Sequence, residues 1–502
     1  MADIKREIER KYESDDSGLP DLIGVAGVET VLDKGVMELD ATYYDTADER
    51  LAASSITLRR RTGGSDAGWH LKVPVAQGVR DEIQAPLSDT LPDDLAGLVR
   101  SRVRDAELLP VVRLRSARDV RDLLDSEGRL LAEVSVDAVH AERLAGGNGV
   151  AQWTEIEVEL ADGGDPGFLD KVEKRLRKAG VRPSASSSKL ARALAETAPK
   201  KRCAAGSPED AVTAGDHVLA YVRVQRDAIV ELDPAVRQDV EDSVHSMRVA
   251  TRRMRSTFKS YDKVLDQAVT DPISEELKWL AAELGVDRDR EVLTERLTAA
   301  LDEVPRTLVS GPVAERLGIW AGDRPGGASG RLIGILDSRR YLALLDALDT
   351  LIADPPLLKA AGKKKVGKVI AKAVKKDFRK VTGLVEQALE LEPGTDRDVA
   401  VHEARKKTKR TRYAAEAARP ALGEPAKDLV KSMKALQNLL GEHQDSVMAR
   451  QTLRELSAVA HAAGESAFTY GLLYGREEQR AAAVEAELPG FWDGVKDGAA
   501  DL

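Results

Sequence analysis

The sequence is poor in aromatic residues and nearly free of cysteine. Phe, Trp and Tyr make up 4% of its 502 residues, and Cys203 is the one cysteine. A single cysteine excludes a disulfide framework and a cysteine-built zinc site. Scarce aromatics leave few platforms on which single-stranded nucleic acid could stack. The net charge of −9 also argues against a general nucleic-acid partner. No apolar run approaches the ~20 residues of a membrane-spanning helix. Near the N-terminus, Glu7 and Glu9 follow Lys5 and Arg6 where a secretory signal would need an apolar core. The expectation is a cytoplasmic protein with no membrane partner and no nucleic-acid partner.

What is present divides the chain in two. A hydrophobic content of 42% suits packed cores, and 502 residues are too many for one. Up to about residue 162 short alternating runs predict strands at 4–12, 38–46, 55–61, 69–73, 79–87, 111–119, 130–142 and 153–160. Helical spacing follows at 166–179 and 186–198. This predicts an α+β domain dominated by an antiparallel sheet, closed or nearly so. Linker composition around Cys203 then gives way to helical periodicity, broken by loops at 321–329 and 391–396. The expected division is a first domain at 1–200, a linker at 201–215 and an all-α domain at 216–495.

The strands carry charge where an ordinary barrel carries apolar side chains. Side chains alternate along a strand, so Glu7, Glu9 and Lys11 share one face. The same holds for Arg59 with Arg61, His70 with Lys72, Arg80 with Glu82, Arg113 with Arg115, and Glu133 with Asp137. Glu155, Glu157 and Glu159 form an acidic ladder. Apolar residues such as Leu58, Leu71, Val112, Leu114, Val134, Ile156 and Val158 hold the opposite parity, where helices could cover them. Like charges opposed across strands repel. Facing charges of both signs therefore suit a wet interior that holds a metal–polyphosphate complex.

In their order along the chain, Glu7-x-Glu9-x-Lys11, Tyr44-Asp45-Thr46, Leu58–Arg61, Trp69–Lys72, Arg80-Asp81-Glu82, the arginines of 113–118, 133–137, 155–159 and Ser187-Ser188-Lys189 resemble the CYTH domain. These triphosphate tunnel metalloenzymes are built on a closed eight-stranded antiparallel β-tunnel, and the resemblance spans residues 3–195. It implies Mg²⁺ or Mn²⁺, held by Glu7, Glu9, Glu157 and Glu159. Lys11, Arg59, Arg61, Lys72, Arg113, Arg115 and Lys189 would bind the triphosphate. Glu133, Asp137 and Glu155 would position water or a second metal. The implied chemistry is in-line attack by water on a terminal phosphorus. Few aromatics in this half favour inorganic tripolyphosphate. Hydrolysis of thiamine triphosphate, cyclisation of ATP and a tunnel without turnover in a polyphosphate scaffold stay open.

The second half repeats itself. His245-Ser-Met-Arg248-Val-Ala-Thr-Arg252-Arg253-Met-Arg255 is echoed by His402-Glu-Ala-Arg405-Lys406-Lys-Thr-Lys409-Arg-Thr-Arg412. Likewise Leu284-Gly285-Val-Asp-Arg288-Asp289 is echoed by Leu440-Gly441-Glu-His443-Gln444-Asp445. The shared offset predicts duplicated helical bundles. Spacings of three and four place each cation set on one helical face. A third stripe contains Lys363, Lys364, Lys365, Lys368 and Lys372. Stripes of like charge invite a polyanion. This pattern resembles the CHAD domain, the conserved-histidine α-helical domain, over residues 207–495. The resemblance implies binding of long-chain inorganic polyphosphate, and association with polyphosphate granules. The implied contacts are His245, Arg248, Arg252, Arg253, Arg255, Lys365, Lys368, Lys372, His402, Arg405, Lys406, Lys409 and Arg412. Lys409 stands where the first copy has Arg252, and Gln444 where it has Arg288.

Overall fold

Alternating side chains build the first half into strands. The computed structural model shows β1 (Asp3–Ser14), β2 (Thr30–Asp45), β3 (Thr57–Thr62), β4 (Gly68–Ala76), β5 (Val79–Pro86), β6 (Leu109–Leu124), β7 (Leu130–Arg143), β8 (Val150–Leu160) and a short β9 (Arg182–Pro183). It describes residues 3–14, 18–64, 66–198, 213–285, 288–322, 327–359, 361–362 and 365–498. Cys203, Lys363, Lys364 and most of the expected linker therefore lie outside the described residues, as do the side chains of Arg288 and Asp289. The chain divides into two compact units, Met1–Gly206 and Ser207–Leu502.

In the first unit the strands pair antiparallel in the order β5-β4-β3-β2-β6-β7-β8-β1, and β1 also pairs with β5. The eight-stranded ring is closed, so no main strand is left with an unpaired edge. β1 closes it by dividing its length, with 3–8 on β5 and 9–14 on β8.

Two helices cover the apolar parity of the strands, and a third packs on the inward parity. Helix α2 (Asp93–Val103) seats Leu95, Leu98, Val99 and Val103 on Leu58, Trp69, Leu71 and Ile83. Helix α3 (Gly167–Lys178) buries Phe168, Leu169, Val172 and Leu176, one helical stripe, against Tyr12, Val134, Ile156 and Val158. Helix α4 (Lys189–Glu196) starts at Ser188, whose side chain caps it by accepting from Ala191 N at 3.0 Å. Its Leu190, Ala193 and Leu194 join Tyr43, Val112, Leu114, Val139 and Trp153.

The Tyr44-Asp45-Thr46 motif is a structural knot. Asp45 is fully buried and accepts from Thr46 N, Leu51 N and Ala52 N at 2.7–2.9 Å, anchoring the short helix α1 (Arg50–Ala53).

The second unit is helical: α5 (Ala214–Arg237), α6 (Ser243–Ser260), α7 (Gln267–Glu283), α8 (Arg288–Asp302), α9 (Val313–Ala321), α10 (Gly327–Leu336), α11 (Arg339–Ala353), α12 (Val366–Glu390), α13 (Thr395–Leu422), α14 (Glu424–Ala462) and α15 (Phe468–Gly498). The two motif helices, α6 and α13, bury equivalent positions. Met247, Thr251, Met254 and Phe258 match Ala404, Thr408, Thr411 and Ala415. One large core joins α5–α7 and α10–α15, and a smaller one joins α8, α9, α14 and α15. The repeats differ at their second block. In the first, Leu284-Gly285 lies just past the end of α7; in the second, Leu440-Gly441 sits inside the unbroken 39-residue α14. Among the described residues no helix is long and apolar enough to cross a membrane.

Candidate functional site

Closure of the ring turns the charged parity inward. Register sets Glu9 beside Glu159 and Glu159 beside Glu133, with Lys11 beside Glu157 one step along, and Glu13, Glu155 and Asp137 one step further. The cavity measures about 310 Å³ and is lined by eight acidic and eight basic side chains. At ~30 Å³ per water it holds roughly ten waters, or a small hydrated anion.

Its deep end is an ion-pair lattice. Lys189 reaches Glu157 at 2.6 Å, Glu155 at 2.8 Å and Asp137 at 3.0 Å. Arg118 holds Asp137 with two bonds of 2.8 Å and Glu157 with one of 2.7 Å. Lys11 pairs with Glu157 and, at 3.1 Å, with Glu9. Burial alone would raise Glu157, but Lys11, Lys189 and Arg118 outweigh it and hold its carboxyl well below the usual range. Burial is likewise the largest influence on Lys189, yet Asp137, Glu157 and Glu155 keep its ammonium firmly charged.

On the opposite wall, Lys72 meets Glu7 at 2.5 Å and Arg59 lies 3.5 Å from Glu82. Burial pushes Glu7 up to about 7, with Glu82 adding to the rise and Lys72 opposing it. Glu82 moves the other way: His70, Lys72 and Arg59 override its burial and keep it ionised. Arg61 pairs with Asp66, and burial followed by repulsion from Arg59 and Arg118 lowers it to about 9. Arg80 donates to Ser187 O at 2.8 Å, fastening the segment that delivers Lys189.

Among the described residues two groups bring ligand atoms close enough for one ion, Asp398 with His443 and Glu485 in the helical unit and Asp137 with Glu155 and Glu157 in the tunnel. Asp137, Glu155 and Glu157 have ligand oxygens within 4.8 Å of one another. The Lys189 ammonium already sits on all three. The row Glu9, Glu159 and Glu133, with Glu7 nearby, offers oxygen-only donors from three adjacent strands. Like carboxylates set side by side repel. Glu133 is raised by burial and then by Glu159. Lys5 pairs with Glu159 at 2.6 Å and Lys11 with Glu9 at 3.1 Å, so this row too is matched by cations, and its oxygen donors are of the kind a hard cation such as Mg²⁺ or Mn²⁺ takes. Glu157, expected as a metal ligand, belongs to the tunnel group with Asp137 and Glu155 and also gathers Lys11, Arg118 and Lys189.

The structure brings Glu7, Glu9, Lys11, Arg59, Arg61, Lys72, Glu133, Glu157, Glu159 and Lys189 to one cavity, with Asp137 and Glu155 behind its deep end. It does not bring Arg113 or Arg115 there. Both lie on the exposed outer face, where Arg113 clamps Asp40 and Arg115 lies 3.7 Å from Glu142. The parity expected for β6 is inverted: Val112 and Leu114 turn inward to pack with α4, so the arginine two steps beyond Ser116 is the inward one. Sequence reasoning missed that residue, Arg118, and left Arg80, Glu82, Lys5 and Tyr43 without roles. The pairing of Arg118 with Asp137 across β6 and β7 is set by register, which the sequence does not show.

In the helical unit the two stripes converge. Burial is the largest cause that lowers Lys409, to about 7; repulsion from Arg405 on its own helix and from Arg252 and Arg248 on α6 adds to it, and Asp445 opposes. Arg253 and Arg412 are engaged elsewhere. They pair with Glu416 at 3.1 and 3.3 Å and lie over the ring of Tyr413. Arg255 is lowered by burial. His402 Nδ1 lies 2.8 Å from Gln444 Oε1, and Lys406 pairs with Glu403 at 2.5 Å. His245 is exposed at the start of α6, and Lys365, Lys368 and Lys372 are exposed along α12 and its approach. His443 is fully buried against Glu485 and Asp398, at 3.0 and 3.4 Å.

Comparison with known proteins agrees with this division. Residues 5–194 match the CYTH domain model and residues 220–454 the CHAD domain model. An uncharacterized protein of Mycobacterium tuberculosis strain H37Rv, Rv2226, is 38% identical over 499 residues, spanning 96% of this chain and 94% of its own. Among solved structures, PptA from Streptomyces chartreusis covers 56% of this chain and 100% of its own at 20% identity, with a TM-score of 0.47. The CHAD domain of the plant Ricinus communis covers 61% of this chain and 97% of its own at 24% identity, with a TM-score of 0.42. HpAC1 from Hippeastrum, described with a dominant triphosphatase activity, covers 39% of this chain and 96% of its own at 19% identity, with a TM-score of 0.23. CYTH-family members are metal-dependent enzymes that act on triphosphates, and CHAD domains are linked to polyphosphate. With its closed charged ring followed by repeated cationic helices, this chain belongs to the proteins that join a CYTH domain to a CHAD domain.

Proposed function

We propose that the tunnel hydrolyses inorganic tripolyphosphate with Mg²⁺ or Mn²⁺ and that the helical domain binds inorganic polyphosphate. The observation that carries the first half is the charge balance of the cavity, eight acids against eight bases. A triphosphate would bring roughly four to five negative charges into that enclosed space, and a divalent cation arriving with it would offset about two of them. Lys11, Arg59, Arg61, Lys72, Arg80, Arg118 and Lys189 are the cations placed to hold phosphate oxygens, the arginines by paired N–H donors. Glu9, Glu159 and Glu133, with Glu7, would hold the metal, which supplies Lewis-acid stabilisation of charge on the phosphoryl group. Glu157 and Asp137 keep Lys189 and Arg118 extended into the cavity, so these donors need little reorganisation when charge develops.

An inorganic substrate is favoured over a nucleotide or thiamine ester. Tyr43 is the one aromatic among the described lining residues, and its hydroxyl lies 3.4 Å from Arg59. Trp69 is buried under α2, and Trp153 is held by Glu155 and Arg192. For the helical half, the support is the convergence of Arg248, Arg252, Arg405 and Lys409. The test is phosphate release from tripolyphosphate with Mg²⁺ or Mn²⁺, comparing the full chain with Glu7→Gln/Glu9→Gln. Metal-dependent turnover lost in the variant is expected. No turnover in either protein, with polyphosphate still bound, would leave a polyphosphate scaffold.

A further inference from the structure

Both copies of the Leu-Gly block place their glycine against the motif arginine of the same repeat. A Cβ built on Gly285 would lie 2.5 Å from Cζ and Nη2 of Arg248 and 2.8 Å from its Nε; one on Gly441 would lie 3.4 Å from Nε and Nη2 of Arg405. Neither glycine has a positive φ, so the backbone does not demand the residue. Gly441 even sits inside a 39-residue helix, where alanine is the better helix former. What each glycine lacks is a side chain in the space its arginine occupies.

We propose that Gly285 and Gly441 are positioning residues, each seating the guanidinium of its motif arginine for contact with chain phosphates. The two seats are unequal. The space over Gly285 is the tighter, with the Arg248 guanidinium 2.5 Å from the built Cβ, whereas over Gly441 the nearest atoms of Arg405 keep 3.4 Å. The anion therefore meets one closely seated arginine, suited to paired N–H contacts, and one with more room to follow a chain of varying conformation. This rests on the reading that the helical domain binds polyphosphate. The clash at Gly285 falls on the far end of a flexible side chain, so an added methyl displaces the arginine and leaves the fold in place.

The test uses the full chain and long-chain inorganic polyphosphate. Gly285→Ala is expected to weaken binding about tenfold, the order of one lost charge-assisted contact, close to the effect of Arg248→Ala. The double variant Gly285→Ala/Arg248→Ala should bind no worse than Arg248→Ala, because the glycine acts only through the arginine. Gly441→Ala should stay within about twofold of the parent, and Gly441→Leu, which reaches into the space of Arg405, should match Arg405→Ala. Wild-type affinity in both Gly285→Ala and Gly441→Leu would overturn the inference, as would additive losses in the double variant. If Gly285→Ala does not fold, Gly441→Leu against Arg405→Ala decides the matter alone. A parent chain that binds no polyphosphate removes the underlying reading instead.

Discussion

Replacing Arg118 by alanine tests whether the inward parity of β6 is what builds the tunnel. Its guanidinium makes three bonds of 2.7–2.8 Å to Asp137 and Glu157, and Asp137 is fully buried. Removing one partner of a buried pair costs about 3–5 kcal/mol. Lys189 remains on both carboxylates, so the low end, about 3 kcal/mol, applies. For a domain of this size that lowers the melting midpoint by roughly 6–12 °C. A cation preorganised at a reacting phosphate is worth on the order of 10²-fold or more in turnover. The control is Arg113→Ala, whose guanidinium clamps Asp40 on the exposed outer face; its melting and turnover should match the parent. Melting curves followed by tripolyphosphate hydrolysis at saturating Mg²⁺ give both numbers. Turnover abolished by Arg113→Ala and spared by Arg118→Ala would refute the inward assignment.

The helical domain yields a pH dependence. Because Lys409 falls from 10.5 to about 7 in the free domain, the folded state binds fewer protons than the unfolded one between those values. The free domain therefore gains stability as pH rises through that window. A bound polyanion restores the proton, so affinity runs the other way and falls roughly tenfold from pH 6 to pH 8. Titrations of long-chain polyphosphate against the parent and Lys409→Arg should show the slope only in the parent; an equal slope in both would assign it to another group. Arg248→Ala combined with Arg405→Ala should weaken polyphosphate binding while tripolyphosphate turnover persists, and equal loss of both would deny the division of labour.

Much of the tunnel was legible because strand periodicity is local. Glu7, Glu9 and Lys11 share a face by alternation alone, as do Arg59 with Arg61 and Glu157 with Glu159, and closure decides only that this face points inward. For β6 the same rule allowed two parities. Arg113 and Arg115 made the odd face look wet; the packing of Val112 and Leu114 with α4, residues distant in sequence, selected the other. The helical stripes were equally local, since a 3-4 spacing fixes one face of a helix.

What the sequence determined by itself was therefore the order of the two domains, the charged parity of most strands and the repeat with its cationic faces. Each depends on residues a few positions apart. Tertiary structure alone decided that Lys189 occupies the acidic group Asp137, Glu155 and Glu157, that Arg118 replaces Arg113 and Arg115, and that the α6 and α13 stripes converge on Lys409. These are pairings between distant segments, set by ring closure and helix packing, and charge pattern along a single strand or helix carries no record of them.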